Sequence, residues 1–144
     1  MPELPEVETF VRQLKPALVG KTILAADLRW NRTLARTLTA PSPKKFKEQI
    51  MGQKIIDVGR RAKYFNIQLK DYSLLIHLRM SGDLLIKNST IGPEKHDRLI
   101  LKLSENKSLI FNDTRKFGRV WLTTAQEEVL GKLGPEPFSK EFTS

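Results

Sequence analysis

Val7, Phe10, Val11, Leu14 and Leu18 recur at spacings of three and four, which is one apolar face of a helix. Pro5 suits the first turn of that helix, Glu6 and Glu8 complement its positive end, and Gly20 lies just past its expected stop. Residues 21–30 turn strand-like. Residues 31–43 are polar, with threonines, arginines and two prolines, and predict a loop. Ser42-Pro43 then has the form of a cap and first turn for a short helix through Ile50. Beyond it come short apolar runs separated by turn residues, predicting strands over 54–58, 64–69, 73–79, 83–87, 98–103, 108–112 and 119–123. Ser81-Gly82 and Glu105-Asn106-Lys107 predict hairpin turns, 88–97 is polar enough to predict a mobile loop, and 124–133 predicts a short helix closed by Gly134. The expected fold class is α+β and mainly β: a two-layer antiparallel β-sandwich flanked by the N-terminal helix and short helices.

A chain of 144 residues fits one domain and is long enough to bury a core. It has no cysteine, so neither a disulfide framework nor a cysteine-based zinc site is expected within it, which suits a reducing cytosol. No run approaches 18 apolar residues, and the start lacks a basic stretch followed by an apolar one, so neither a membrane span nor a secretory signal is expected. The net charge of +9 makes a polyanion the leading partner class, nucleic acid before a membrane surface.

The start of the chain offers chemistry. Removal of Met1, which a small second residue permits, would leave Pro2 with a secondary amine. Such an amine attacks a sugar aldehyde carbon and forms an iminium, an electron sink for later elimination. An α-amino group titrates near ~7.7–8, so far more of it is neutral at pH 7 than of a lysine near ~10.4. Retention of Met1 would make the same nitrogen an amide and silence it. Glu3 and Glu6 are the nearest carboxylates and suit proton transfer to a leaving group or ring oxygen. The plainer reading is that Pro-Glu-Leu-Pro-Glu only punctuates a helix start, and dipole complementation accounts for Glu8.

Arg60-Arg61-Ala62-Lys63-Tyr64 lies where two predicted strands meet, and a basic hairpin there either holds phosphates or is a solvated turn. Met80 and Phe117 stand at turns, where long apolar side chains suit wedges pushed into a base stack, with Arg115 reaching the bases left behind. The alternative is that both fold back onto the core. His77 and His96 are the only histidines and make a poor metal signal. Either suits a phosphate contact, and His77 also suits a structural place on its strand.

Taken together, these segments resemble the Fpg/Nei family of formamidopyrimidine-DNA glycosylases. Met1-Pro2-Glu3-Leu4-Pro5-Glu6-Val7-Glu8-Thr9 is similar to that family's N-terminal signature. Later blocks follow in the same order: the basic hairpin, His77–Gly82, Pro93-Glu94-Lys95-His96-Asp97, the segment from Asp113 to Gly118, and Leu133-Gly134-Pro135-Glu136-Pro137. The resemblance implies that Pro2 is the nucleophile on deoxyribose C1′, Glu3 the main proton-transfer residue with Glu6 in support, and Lys63 the contact to the phosphate beside the lesion. It assigns His77 and Lys116 to backbone phosphates, and Met80, Arg115 and Phe117 to the gap left by an extruded nucleotide. The implied reaction is excision of oxidised purines such as 8-oxoguanine and formamidopyrimidines, followed by β- and δ-elimination. Leu4 leans toward the purine-specific branch. Thr114 stands where the family often has proline, Lys116 where it often has arginine, and Arg79 where it often has glycine.

The resemblance also implies a second, helical domain with a helix–two-turn–helix motif and a cysteine zinc finger, and this chain stops at Ser144 before either. Residues 1–137 are therefore expected to form the catalytic β-sandwich domain and 138–144 the start of a linker. The expected cofactor set is none here and zinc in the missing domain. Damaged double-stranded DNA and the missing C-terminal domain are the expected partners, with no membrane, a monomeric full-length protein and a bacterial, cytoplasmic, nucleoid-associated setting. By itself the chain is expected to bind DNA weakly and to excise little. The competing class is a noncatalytic basic nucleic-acid-binding module, which would need neither the Pro2 terminus nor the paired Glu3 and Glu6. A third reading, an interaction domain without a nucleic-acid role, predicts no DNA binding even at low salt.

Overall fold

The computed structural model describes residues 4–35, 41–61, 63–78, 82–115 and 118–124, with the backbone alone for 4–6. Helix α1 spans Leu4–Leu18 and buries Val7, Leu14 and Leu18, with Phe10 and Val11 packed partly against the same core. Pro16 sits in its last turn, where the helix is about to end. Gly20 then takes a left-handed φ of 90°, the conformation that stops a helix most cheaply. Helix α2, Pro43–Ile50, starts as expected: Ser42 Oγ accepts from the Lys45 N–H at 3.2 Å and proline occupies the first turn. Its buried residues are Phe46 and Ile50, one turn apart on the face toward the core.

Among the described residues, eight strands form two four-stranded antiparallel sheets. They are β1 (Ile23–Leu28), β2 (Ile55–Arg61), β3 (Tyr64–Leu69), β4 (Ser73–His77), β5 (Gly82–Asn88), β6 (Asp97–Leu103), β7 (Lys107–Asp113) and β8 (Arg119–Thr123). One sheet has the order β1-β6-β7-β5 and the other β2-β3-β4-β8. A single apolar cluster from the inner faces of both sheets, α1 and α2 fills the space between them. The mainly β sandwich flanked by the N-terminal helix is thus as the sequence predicts. A second cluster of Ala35, Tyr64, Leu75 and Trp121 lies apart from that core, so β4 is buried on both faces, in keeping with its continuous run Leu74-Leu75-Ile76.

The strand ends differ from expectation because ladder hydrogen bonds run on past the last apolar residue. β2 continues through Arg60 and Arg61, which pair with Phe65 and Tyr64. β6 begins at Asp97 and β7 ends at Asp113, whereas β4 stops at His77. The predicted loop over 31–43 contains a 3-10 turn at Asn31–Thr33, and Leu34 and Ala35 are buried, with Leu34 in an isolated parallel bridge to Val120. The predicted turn at 105–107 is a tight reversal with Glu105 and Asn106 both left-handed. The polar 88–97 segment is a loop as predicted, and it is tied down: Asn88 Oδ1 accepts from Thr90, Lys87 pairs with Glu94 at 2.6 Å, and Asp97 Oδ2 accepts from the Glu94 N–H. All but the first residue of the helix predicted over 124–133, and the tail after Pro137, lie outside the described residues.

Candidate nucleic-acid interface

The chain passes between the two sheets at one rim. β4 of one sheet leads through 78–82 into β5 of the other, and β7 leads back through 113–119 into β8. The two crossings are neighbours because Gly82 pairs with Asp113 and His77 pairs with Arg119. Gly82 N–H donates to the Leu78 carbonyl at 2.9 Å, and a side chain at 82 would run into the Leu78 backbone. Gly118 is wedged between the Phe111 ring, the Asp113 carboxylate and the His77 carbonyl. The two turns singled out by their apolar tips are therefore anchored side by side. Met80, Lys116 and Phe117 lie outside the described residues.

The start of α1 comes to the basic hairpin. Glu8 pairs with Arg60 at 2.9 Å, Lys15 pairs with Asp57 at 3.2 Å, and the Gly20 N–H donates to the Ile55 carbonyl. The three contacts run in opposite chain directions, so α1 lies antiparallel to β2. The spacing agrees: the helix from Glu8 to Lys15 and the strand from Asp57 to Arg60 each cover about 10 Å. The N-terminal end of α1 is thereby brought to the β2–β3 turn that carries half-buried Lys63. Pro2, Glu3 and the side chain of Glu6 lie outside the described residues. Asp57 has its carboxyl held below the usual range, first by the Val58 N–H and then by the Lys15 ammonium.

His77, half-buried, ends β4 in a cross-strand row with Tyr64 and Arg119. The Tyr64 ring meets it edge-on, with centroids 5.0 Å apart, and meets Trp121 in the same manner at 5.4 Å. Tyr64 follows Lys63 directly, so Lys63 and His77 belong to one end of the sheet. Across the rim, Arg98 Nη2 lies 3.3 Å from His96 Nδ1. A guanidinium only donates, so His96 accepts there and Nε2 is the nitrogen left to carry the N–H. Arg98 Nε also donates to the Asp113 carbonyl at 2.9 Å. Arg115 is exposed, and its N–H donates to Asp113 Oδ1.

The rim thus joins Lys63 to His77, and His96 to Arg115, in an edge rich in cations and N–H donors, which suits phosphate oxygens. Asp113, Arg98 and Gly118 were not assigned roles from sequence. A signal existed, since an aspartate five residues before a glycine is turn chemistry. Among the described residues no group of three His, Asp or Glu could hold a metal, and a chain without cysteine does not fit the zinc-finger ligands that the resemblance assigns to the second domain. No described helix is long and apolar enough to cross a membrane.

Comparison with known proteins adds three findings. The family profile described as formamidopyrimidine-DNA glycosylase N-terminal domain matches residues 1–120. The formamidopyrimidine-DNA glycosylase of Protochlamydia amoebophila is 42% identical over 145 residues, covering 99% of this chain and 51% of that protein. Two solved structures of the Lactococcus lactis enzyme superpose well, each 32% identical. The complex with FAPY-dG containing DNA has a TM-score of 0.80 and is matched over 91% of this chain and 48% of that one. The complex with an abasic site containing DNA has a TM-score of 0.81, over 92% and 48%. The chain spans about half the length of the relatives it matches.

Proposed function

The chain belongs to the formamidopyrimidine-DNA glycosylase family, and from that membership we propose that the whole protein is a bifunctional DNA glycosylase and abasic-site lyase of base excision repair, acting on oxidised purines through Pro2. The observation that carries this reading is the α1–β2 seam, which brings the start of the helix following Pro2 and Glu3 to the hairpin bearing Lys63. A simple phosphate-binding edge would not need its cations beside a chain terminus able to present a secondary amine.

In this mechanism the Pro2 nitrogen forms a bond to C1′ as the C1′–base bond breaks, and the proton that the nitrogen loses balances the one that the departing base takes up. Glu3 protonates the ring oxygen as the C1′–O bond opens, leaving an iminium between Pro2 and the sugar. The iminium acidifies the C2′ hydrogen; its removal expels the 3′ phosphate, and a second elimination expels the 5′ phosphate. Glu6 supports these proton transfers. Lys63 holds the phosphate beside the lesion, His77, His96 and Lys116 hold backbone phosphates, and Met80, Arg115 and Phe117 fill the vacated stack with Arg115 facing the orphaned base. The 144-residue chain by itself, covering half of its relatives, binds DNA weakly and excises little.

The test is borohydride trapping. Protein with a verified free Pro2 nitrogen is mixed with duplex DNA carrying an abasic site, reduced, and analysed by mass spectrometry. A covalent adduct mapped to Pro2, and absent from a Met1-retaining control, is the expected result. A folded, DNA-bound protein that yields no adduct at Pro2 would sink the assignment.

A further inference from the structure

Asp113 is 1% exposed at the end of β7. A carboxylate this deeply buried is costly unless hydrogen bonds satisfy it. Its Oδ1 accepts from the Arg115 N–H at 3.2 Å and its Oδ2 from the Gly118 N–H at 2.6 Å. One side chain therefore holds both ends of the turn that carries Arg115. Both of these partners are N–H donors, so a side chain with two acceptors serves them; an amide would turn its own NH2 toward one of them. The backbone of the same residue faces the other way. Its N–H donates to the His96 carbonyl at 3.0 Å, and its carbonyl accepts from Arg98 Nε. Arg98, 8% exposed, reaches with its remaining arm to His96 Nδ1.

Resting on the lesion-site reading above, we propose that Asp113 and Arg98 are positioning residues that lock the Arg115 turn and the His96 imidazole into one block, so that duplex DNA meets both at a fixed spacing. Neither side chain needs to touch DNA. Their contribution is preorganisation: a turn and an imidazole already held in place lose little freedom when DNA arrives. The block also joins the two crossings of the rim, because Asp113 pairs with Gly82 and Gly118 abuts the His77 carbonyl.

The experiment compares the whole wild-type protein with its Asp113→Asn and Arg98→Lys variants, the second of which keeps the charge and loses the planar fork. Amide hydrogen exchange comes first: the Arg115 and Gly118 amides are expected to be slow in the wild type and at least about tenfold faster in Asp113→Asn, with the Leu109 and Phe111 amides unchanged. Binding at low salt follows, using an undamaged duplex and one carrying a tetrahydrofuran abasic analogue opposite 2-aminopurine. Both variants should hold the undamaged duplex within about twofold and lose about tenfold of the wild-type preference for the abasic duplex, the loss of one charged hydrogen bond. The 2-aminopurine signal should fall with it. Preference unchanged in both variants would overturn the proposal, and so would a parallel loss of affinity for both duplexes, which a merely structural role produces. A wild type without any preference would strike the lesion-site reading itself, an outcome separate from the variant comparison.

Discussion

Gly118 has no room for a methyl group. A Cβ there would collide with the Phe111 ring and lie 3.0 Å from both an Asp113 carboxylate oxygen and the His77 carbonyl. The demand is for space, whereas Gly20 and Gly52 stand in open surroundings and serve by their left-handed φ. Gly118→Ala is therefore expected to destabilise the fold by about 1–3 kcal/mol, the usual cost of overpacking. Urea unfolding would check this, and an unchanged midpoint would contradict the packing described. Adding Phe111→Leu should recover part of the loss, because the two sites share one contact. The sequence showed Gly118 at the end of a turn without showing why a glycine stands there. The reason lies in residues 77 and 111, which only the folded sheets bring to it. Asp113 is similar: its neighbours mark a turn, but its burial follows from the pairing with Gly82.

At the scale of elements, the apolar face of α1 and the alternation in β3 were legible because burial of one face dictates period 3.6 or 2, and β6 and β7 were legible as short continuous apolar runs. The limits of the strands were less so. Arg60, Arg61, Asp97 and Asp113 are polar and still belong to ladders, since backbone pairing does not depend on apolar side chains. Leu34 and Ala35 escaped notice among arginines and threonines because their partners, Val120 and the cluster around Trp121, are distant in sequence. The seam between α1 and β2 was not legible at all, as its ion pairs and its backbone hydrogen bond join residues remote in sequence. It has a pH signature. The Asp57 carboxyl is held below its usual range in the folded chain, so its contribution to stability is present above the unfolded value near ~3.9 and is lost as pH falls through the lower folded value. Thermal melting followed from pH 6 downward should therefore fall less steeply below about pH 4 in Asp57→Asn than in the wild type. Coincident curves would mean that the seam carries nothing there. Lys87 works in the opposite sense: its ammonium is favoured by Glu94, so that contribution is present below ~10.4 and fades only above it.

For the whole molecule, the net charge of +9 indicated a polyanion, and the candidate phosphate contacts lie along the rim where the sheets exchange strands. Each phosphate neutralised lowers the slope of log affinity against log salt by about 0.9. Fluorescence anisotropy of the chain on duplex DNA between 50 and 200 mM salt is expected to give a slope of roughly −3 or steeper. A flat response would exclude the rim cations as the main contacts. The same strand exchange has a consequence during synthesis. Neither sheet is made from one continuous stretch of chain: β1 waits for β6, and β4 waits for β8, the last strand among the described residues. A nascent chain leaving the ribosome can close the β2–β3–β4 meander early, but its opposite layer stays open until β6 and β7 emerge, and β4 keeps a bare edge until β8 does. Late, sequence-distant pairing of this kind makes for slow folding and a long exposure of unpaired edges. The turn holding Arg115 is among the last parts translated before β8, so the basic rim takes shape only as the second sheet is sealed.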